Sequence, residues 1–594
     1  MIRLESQHQI AFPPEAVWPV LSQTDWINRA VGLPAVKYDV KARSEGGSIV
    51  TAQARLFGTE MRWREFPFEW LEPEFYRVHR LFESGPFADV NMGMELHPTA
   101  GGGTNLIVYT NIEPRTLLGK FAAKNILGPK SRRDMNRIAA HIEEYLTGRS
   151  KVILPRLSTK PANVEALQAG LKKLQTDNQP PALVSRLEEF LHGAPDIELT
   201  HIRPFAIARK WDFDRWDVLR LFLHATSCGL LDFSWEVLCP NCRSSRQTGA
   251  TSLATLKKTS HCDVCQIKFD GEFDKSVELK FSVNPAVRPR ETQTFCLAGP
   301  GGKPHIVSQL WLEPGETRPW KMPALKRSLR LRSPQIQQTL TIDPGESQSI
   351  SCGPEKILAT AVVGQKPSVT NLNPFPILLS MEQVDWSEDI LTAARVTNWQ
   401  EFRDLFSAEV ISPTEQVTVG SQVVLFTDLR GSTAMYHGLG DAPAYVLVRN
   451  HFVVLIEAIR ANHGTVVKTI GDSVMATFSR VDEALTAVQQ MFRDLPTANP
   501  GLTAPLVLKS GLHVGPCLAV NANDKLDYFG TTINLAARLV ECSRGGELIV
   551  SDALFQHPET AAFLRNSLAP EQDEVTYRGF EKPQRIWRIK MASS

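Results

Sequence analysis

Residues 466–478 read VVKTIGDSVMATF. Two apolar, strand-like runs meet at Gly471-Asp472, which is hairpin chemistry, because glycine accepts the positive φ that a primed two-residue turn requires. Lys468 stands among Val466, Val467 and Ile470, where a core strand has no use for a charge, and Asp472 puts a carboxylate at the tip. A cation in the strand and an acid in the turn mark the hairpin as a candidate for binding a polar ligand. The bland alternative is a buried ion pair between Lys468 and Asp527 with no ligand at all.

Around this hairpin, from residue 421 onward, strand and helix alternate. SQVVLFTDLRGST reads as a strand ending near Asp428, then a loop that opens a helix. DAPAYVLVRNHFVVLIEAIRANHG is a long helix stopped by Gly464. After the hairpin come a helix (DEALTAVQQMFRDL), a strand (LVLKSGLHVGP) and the segment KLDYFGTTINLAARLVECSRGGELIVS. A carboxylate after one strand and a second at a nearby hairpin tip can converge on one metal site, and all-oxygen ligation suits Mg²⁺ or Mn²⁺.

Taken in order, LFTDLRGST, VVKTIGDSVMATF and DYFGTTINLAARL resemble a class III nucleotidyl cyclase catalytic domain, spanning residues 419–594. The resemblance implies a ferredoxin-like α/β fold and two Mg²⁺ or Mn²⁺ ions per active site, held by Asp428 and Asp472. It also implies a purine-reading pair, Lys468 and Asp527, a ribose-orienting Asn534 and a transition-state arginine, Arg538. Such sites form between two catalytic domains, so a homodimer is implied. A phosphate-binding cation near the C-terminus falls on Arg578, with Lys582 as second choice.

Elementary chemistry fits these roles. Lysine only donates and ionised aspartate only accepts, which matches the pairing edge of adenine and opposes that of guanine, so ATP is expected over GTP. Asn534 and Arg538 lie four apart on one helix and share a face. An arginine offers a planar fork of donors where phosphoryl charge accumulates. The competing reading is a ligand-binding signalling scaffold whose cyclase domain is inactive.

The remaining chain is too long for one core, and about three to five domains are expected overall. Residues 1–148 run strand, Pro-led helix (PPEAVW), several alternating strands and a closing amphipathic helix, SRRDMNRIAAHIEEYLTG. They resemble the helix-grip fold of the START and polyketide-cyclase-like (SRPBCC) superfamily, which implies a cavity for an apolar small molecule. Trp63, Phe66, Phe68 and Trp70 are either cavity lining or packed core. Residues 149–235 read as helical, with a possible winged-helix-like unit.

Within 236–275, Cys239 and Cys242, then Cys262 and Cys265, give C-x2-C, nineteen residues, C-x2-C. Four thiolates close a tetrahedral shell and leave no place for water, so one structural Zn²⁺ is expected, with His261 as polar surface. Residues 276–385 read as all-β, with AGPGGKPH as a surface turn, and 386–418 as a helical linker. The fold class is thus multidomain α+β.

Composition is that of an ordinary globular protein, 43% hydrophobic and 22% charged. A net charge of +1 gives no global pull towards nucleic acid or an anionic membrane surface. No apolar stretch of spanning length and no secretory leader is visible in the sequence. Nine thinly spread cysteines suit a reducing compartment, so a cytoplasmic location is expected.

Overall fold

The computed structural model describes residues 1–591 except 57, 151–152, 155–156, 178, 246–249, 257–258, 292, 322–327, 344–347, 362–365, 408, 410, 412–416, 498–505, 523–524, 565–569 and 578–582. It is a multidomain α+β protein. The first strand, Ile2–Ile10, alternates exposure along its length, as a strand with one wet face does. It pairs antiparallel with Thr104–Pro114, and the sheet continues through Phe87–Pro98, Phe75–Phe82 and Glu69–Leu71. Thr59–Glu65, Ser48–Leu56 and Lys37–Ala42 branch from the same sheet. Helix Gly128–Leu146 lays Met135, Ile138, Ala139 and Ile142 into the core.

A cavity of about 540 Å³ remains between sheet and helices, walled by Phe68, Tyr76, Val78, Met94, Val108 and Met135. Of the four aromatics named from sequence, Phe68 alone lines it. Trp63 packs on Ala52, Ala54 and Met61, and Phe66 stacks on His79 at 4.7 Å. Trp70 is fully buried and donates its indole N–H to Ile306 O at 2.9 Å. That bond marks a junction. Ile306–Leu312 joins the edge strand Glu69–Leu71 and carries the sheet on through Ile377–Gln383, Leu329–Ser333 and Ile336–Ile342.

The turn AGPGGKPH strengthens the same junction. Gly301 N–H donates to Ser22 O at 2.9 Å, and a side chain at Gly299 would collide with Thr24.

Helices Val164–Thr176, Pro181–Gly193, Pro204–Trp211 and Arg215–Ser227 pack round a two-stranded sheet of Leu231–Val237 and Val277–Val283. The second of these strands, read from sequence as the start of the all-β stretch, belongs here because its apolar face closes the helical core. The cysteine-bearing segment is therefore an insertion between two paired strands. Two short helices, Ala393–Thr397 and Gln400–Leu405, extend the same core towards the C-terminal unit.

That unit is an eight-stranded sheet. Its strands are β1 (Val417–Leu429), β2 (Thr465–Ile470), β3 (Ser473–Phe478), β4 (Leu508–Ala522), β5 (Lys525–Phe529), β6 (Glu547–Ser551), β7 (Glu571–Val575) and β8 (Gln584–Lys590). The order is β2-β3-β1-β4-β6-β8-β7, with β5 against β4. Only the β4–β6 pairing is parallel. Helices α1 (Ser432–Leu439), α2 (Asp441–Ala461), α3 (Val481–Asp494) and α4 (Thr531–Glu541) pack with it, along with two short helices, Asp552–Phe555 and Pro558–Leu564.

Two apolar cores flank this sheet. On one face α2 and α3 cover Val423, Leu425, Val474, Ala476 and Phe478. On the other, Val424, Phe426, Met475, Ala519 and Tyr528 pack with α4 and with the helical middle of the chain. Helix α2 is long and apolar enough to cross a membrane by length and composition, but its stripe of Ala444, Val448, His451, Leu455 and Ile459 is buried.

Candidate functional site

The hairpin β2–β3 forms as its sequence demands, with Gly471 at φ +62° in the turn. One feature was not legible. A bulge lies between Val466 and Lys468, so that Val466 faces Ala476 while Lys468 faces Met475. A regular strand would put Val466 and Lys468 on one face; the extra residue moves the lysine to the other. There it shares a face with Met475 and Phe426, across the sheet from α2 and α3.

On that face Lys468 Nζ meets Asp527 Oδ2 at 2.6 Å, joining β2 to β5. The pair is part-exposed, with Lys468 40% and Asp527 18% accessible, so the charges remain open to a solute. Tyr528 N–H holds the other oxygen, Oδ1, at 2.8 Å.

Asp428 lies near the end of β1, where the chain turns through Gly431 into α1. Ser473 Oγ donates to its Oδ1 at 2.9 Å, which ties the strand end to the hairpin tip. Lys509, opposite it on β4, approaches Oδ2 at 3.5 Å. That lysine was missed from sequence; its only signal is a charge in an otherwise apolar strand.

Asp472 sits in the adjoining turn, and its Oδ2 is buried with no hydrogen-bond partner among the described residues. An unpartnered carboxylate oxygen beside a second carboxylate is a donor set that suits a hard divalent cation.

Behind the two aspartates, α2 buries His451 completely. Desolvation pushes its imidazole down to about 4, so it is neutral at ordinary pH.

Asn534 and Arg538 are one turn apart on α4, which crosses β4 closely enough that a side chain at Gly511 would strike its backbone. Arg538 is ion-paired to Glu541 at 2.6 Å. Among the described residues, neither Asn534 nor Arg538 makes a hydrogen bond or ion pair with Asp428 or Asp472. Arg578 and Lys582 lie outside the described residues.

Sequence reasoning also missed the residues that hold these strands. Gln400 Oε1 accepts from Thr465 Oγ1 and Val466 N–H, both at 3.0 Å. Arg403 Nη1 donates to Leu526 O at 3.1 Å. Asn398 Oδ1 accepts from Thr477 Oγ1 at 2.6 Å and from Tyr528 O–H at 3.2 Å. One short segment thus grips β2 just before Lys468 and β5 on both sides of Asp527.

A second candidate site lies in the middle of the chain. The thiols of Cys239, Cys242, Cys262 and Cys265 are buried and lie within 4.8 Å of one another. Cys242 and Cys262 approach to 3.7 Å, and Cys265 N–H points at Cys262 Sγ at 3.4 Å. The Cys239 thiol, donating to its neighbours, lowers Cys262 to about 6 and pulls Cys242 well below the ordinary thiol range. Such a quartet can hold one soft metal ion. His261 is exposed and faces Asp263, 3.7 Å away.

Three stretches of the chain match known families. Residues 1–143 match the family "Polyketide cyclase / dehydrase and lipid transport", and 164–294 match the family of unknown function DUF5939. Residues 412–589 match "Adenylate and Guanylate cyclase catalytic domain". The C-terminal unit is a class III cyclase domain.

Relatives of this cyclase domain include a Mycobacterium tuberculosis protein described only as uncharacterized, 31% identical over 185 residues. The match covers 30% of this chain and 43% of that protein, so the chain spans less than half the length of this relative. An adenylate cyclase of Podospora anserina is 28% identical over 165 residues, 24% of this chain and 7% of its own. Among solved structures, the adenylyl cyclase CyaB from P. aeruginosa is 24% identical, with 30% of this chain and 95% of that one covered and a TM-score of 0.26. The catalytic core of a rhodopsin-guanylyl cyclase in complex with ATPalphaS is 17% identical, covering 30% and 99%, at a TM-score of 0.27.

Proposed function

We propose that the protein converts ATP to 3′,5′-cyclic AMP and pyrophosphate in a site shared by two copies of its cyclase domain, under the influence of its N-terminal domains. The observation that carries this reading is the Lys468–Asp527 pair at 2.6 Å, part-exposed on the sheet face that also bears Asp428. Lys468 donates to the ring-nitrogen acceptor of adenine and Asp527 accepts from its exocyclic amine. Guanine reverses both groups and leaves each side chain unpaired, which costs about 1–3 kcal/mol per group.

Asp428 and Asp472 are the residues that would hold Mg²⁺ or Mn²⁺; when bound, these ions acidify the ribose 3′-hydroxyl and neutralise charge on the departing pyrophosphate. The orphaned Oδ2 of Asp472 fits such a ligand. Asn534 both donates and accepts, and so can fix the ribose hydroxyl that attacks the α-phosphate. Arg538 exchanges its pairing with Glu541 for the crowded phosphoryl oxygens.

Two features favour a shared site. Asn534 and Arg538 make no bond to the aspartates of their own chain, as noted above. The cyclase domain also exposes large apolar side chains, with Tyr445 at 63%, Ile470 at 54% and Phe529 at 68%, which suits burial against a second copy. The cysteine quartet would hold one structural Zn²⁺, and the N-terminal cavity an apolar regulatory molecule.

The test is cyclic nucleotide formation by the full chain from ATP or GTP with Mg²⁺ or Mn²⁺, beside an Asp428→Ala control. Cyclic AMP that disappears in the control is the expected result. Equal rates from ATP and GTP would overturn the base assignment, and product persisting in the control would overturn the role of Asp428.

A further inference from the structure

The N-terminal domain presents a second feature that the cyclase chemistry does not use. Between the last sheet strand and the long helix, a short helix, Leu117–Ala122, leads through a π-turn, Ala123–Leu127. Leu117 is 86% exposed, Leu118 79%, Phe121 60% and Ile126 43%. Four large apolar side chains are exposed within ten residues of chain, a density unlike scattered exposure.

The backbone beneath this patch is pinned. Thr116 caps the helix, its Oγ1 accepting from Gly119 N–H at 3.0 Å. Gly119 packs so tightly on Pro86 that a Cβ there would lie 2.2 Å from Pro86 O. Arg115 N–H donates to Pro86 O at 2.8 Å, and Arg115 Nη1 donates to Glu83 O at 3.1 Å. The apolar side chains therefore cannot fold back into the domain while these contacts hold, and they stand in water on a fixed platform.

Along the segment that carries the patch the charges have one sign, with the exposed acids Glu113 and Glu83 lying at its near edge. From Pro114 to Arg133 the sequence holds Arg115, Lys120, Lys124, Lys130, Arg132 and Arg133, with no acidic residue. Lys120, Lys124, Arg132 and Arg133 are exposed. The acid that follows, Asp134, is buried and takes Lys130 at 2.8 Å. Immediately beyond the patch, Leu127 and Lys130 line the apolar cavity.

We propose that this edge of the N-terminal domain docks on an anionic membrane surface. Leu117, Leu118 and Phe121 enter the boundary between headgroups and acyl chains, while Lys120 and Lys124 meet the headgroup phosphates. An apolar wedge with a basic rim is the composition that binds in the interface plane, with hydrophobic and electrostatic contributions adding. Global net charge carries no sign of this, because acidic residues elsewhere balance the basic segment. Docking would also bring the cavity beside a source of apolar molecules.

The test is flotation of the full chain with vesicles of phosphatidylcholine alone or with added phosphatidylglycerol. Binding is expected only to the anionic vesicles and should weaken as salt rises. Leu118→Ser with Phe121→Ser should lower vesicle affinity about tenfold or more, and Lys120→Glu with Lys124→Glu should abolish the preference for anionic lipid. These positions are exposed, so the thermal midpoint should not move, and the charge reversal tests the idea even if the apolar pair perturbs folding. A full chain that ignores anionic vesicles at low salt would overturn the proposal. So would vesicle binding unchanged in both variants, or sedimentation showing that the patch is instead covered by a second copy.

Discussion

Among the described residues two places suit a metal ion, and they are built in opposite ways. The cysteine quartet is closed, with four buried sulfurs close to one another and Val264, Ile267 and Phe269 packed against them. The corner at Asp428 and Asp472 is open, with two carboxylates from a strand end and a turn, one oxygen of which lacks any partner. Sulfur in a filled shell favours a soft ion held for stability, whereas oxygen in an unfilled shell leaves room for water, phosphate or substrate. Removing the ion, or a ligand, should therefore have opposite signatures at the two places.

The sharpest break would come at the open corner. Asp472→Ala should reduce cyclic nucleotide formation about a thousandfold, ~4 kcal/mol of lost transition-state stabilisation. Its thermal midpoint should hold or rise, since the substitution removes a buried carboxylate oxygen that has no partner in the isolated chain. A fall in midpoint that parallels the loss of activity would make the corner structural and erase the contrast.

At the closed site the order reverses. Cys262→Ser, or extraction by a strong chelator, should cost about 3 kcal/mol or more of stability. Elemental analysis should find one soft ion per chain before and none after. Activity lost at a temperature where the variant is still fully folded would contradict the assignment.

The contrast also shows what a sequence discloses. The cysteine spacing and the hairpin with its Gly471 turn are local patterns, and the structure realises both because the chemistry is carried by residues a few positions apart. The bulge that turns Lys468 onto the Asp428 face is invisible in periodicity, since Val466, Val467 and Lys468 fit a strand in either register. The insertion of the cysteine segment between Leu231–Val237 and Val277–Val283 depends on a pairing across the whole insertion. Continuity of the N-terminal sheet into Ile306–Leu312 likewise rests on two distant strands, each with one edge unpaired until they meet.

Acid separates the two sites in another way. His451 and His513, both in the cyclase domain, are driven by burial down to about 4. Their folded values lie below the ordinary 6.5, so the stability they confer is complete above pH 6.5 and is lost as pH falls towards 4. Loss of about 3 kcal/mol per histidine across that window is expected from denaturant midpoints, and His451→Phe should remove about half of the step. An ion held by the thiolates would be released with proton uptake in the same direction. The acid profile of Cys262→Ser, which should hold no ion, should show the histidine step alone. An identical profile in His451→Phe would remove burial of this group as the cause.

The smallest effect expected is also the one that joins the two regions. The unit carrying the cysteine quartet touches the cyclase domain both directly and through the segment 393–405. Arg220 holds Glu401 at 2.8 Å, Trp216 stacks on His463 at 4.2 Å, and Phe273 N–H donates to Thr418 O at 3.2 Å. The same segment sends Gln400 to β2 and Arg403 to β5, the strands that carry Lys468 and Asp527. These are positioning residues, since neither reaches the proposed purine site itself. Arg403→Ala should loosen β5 and raise KM for ATP about three- to tenfold, while kcat changes less, because ground-state base contacts are lost before phosphoryl contacts. Arg403→Lys should recover part of the loss, whereas Arg403→Ala combined with Lys468→Ala should add little beyond Lys468→Ala alone. Full additivity of the two substitutions would mean that the segment acts on stability rather than on the pair. The closed metal site would then have no route to the open one through these strands.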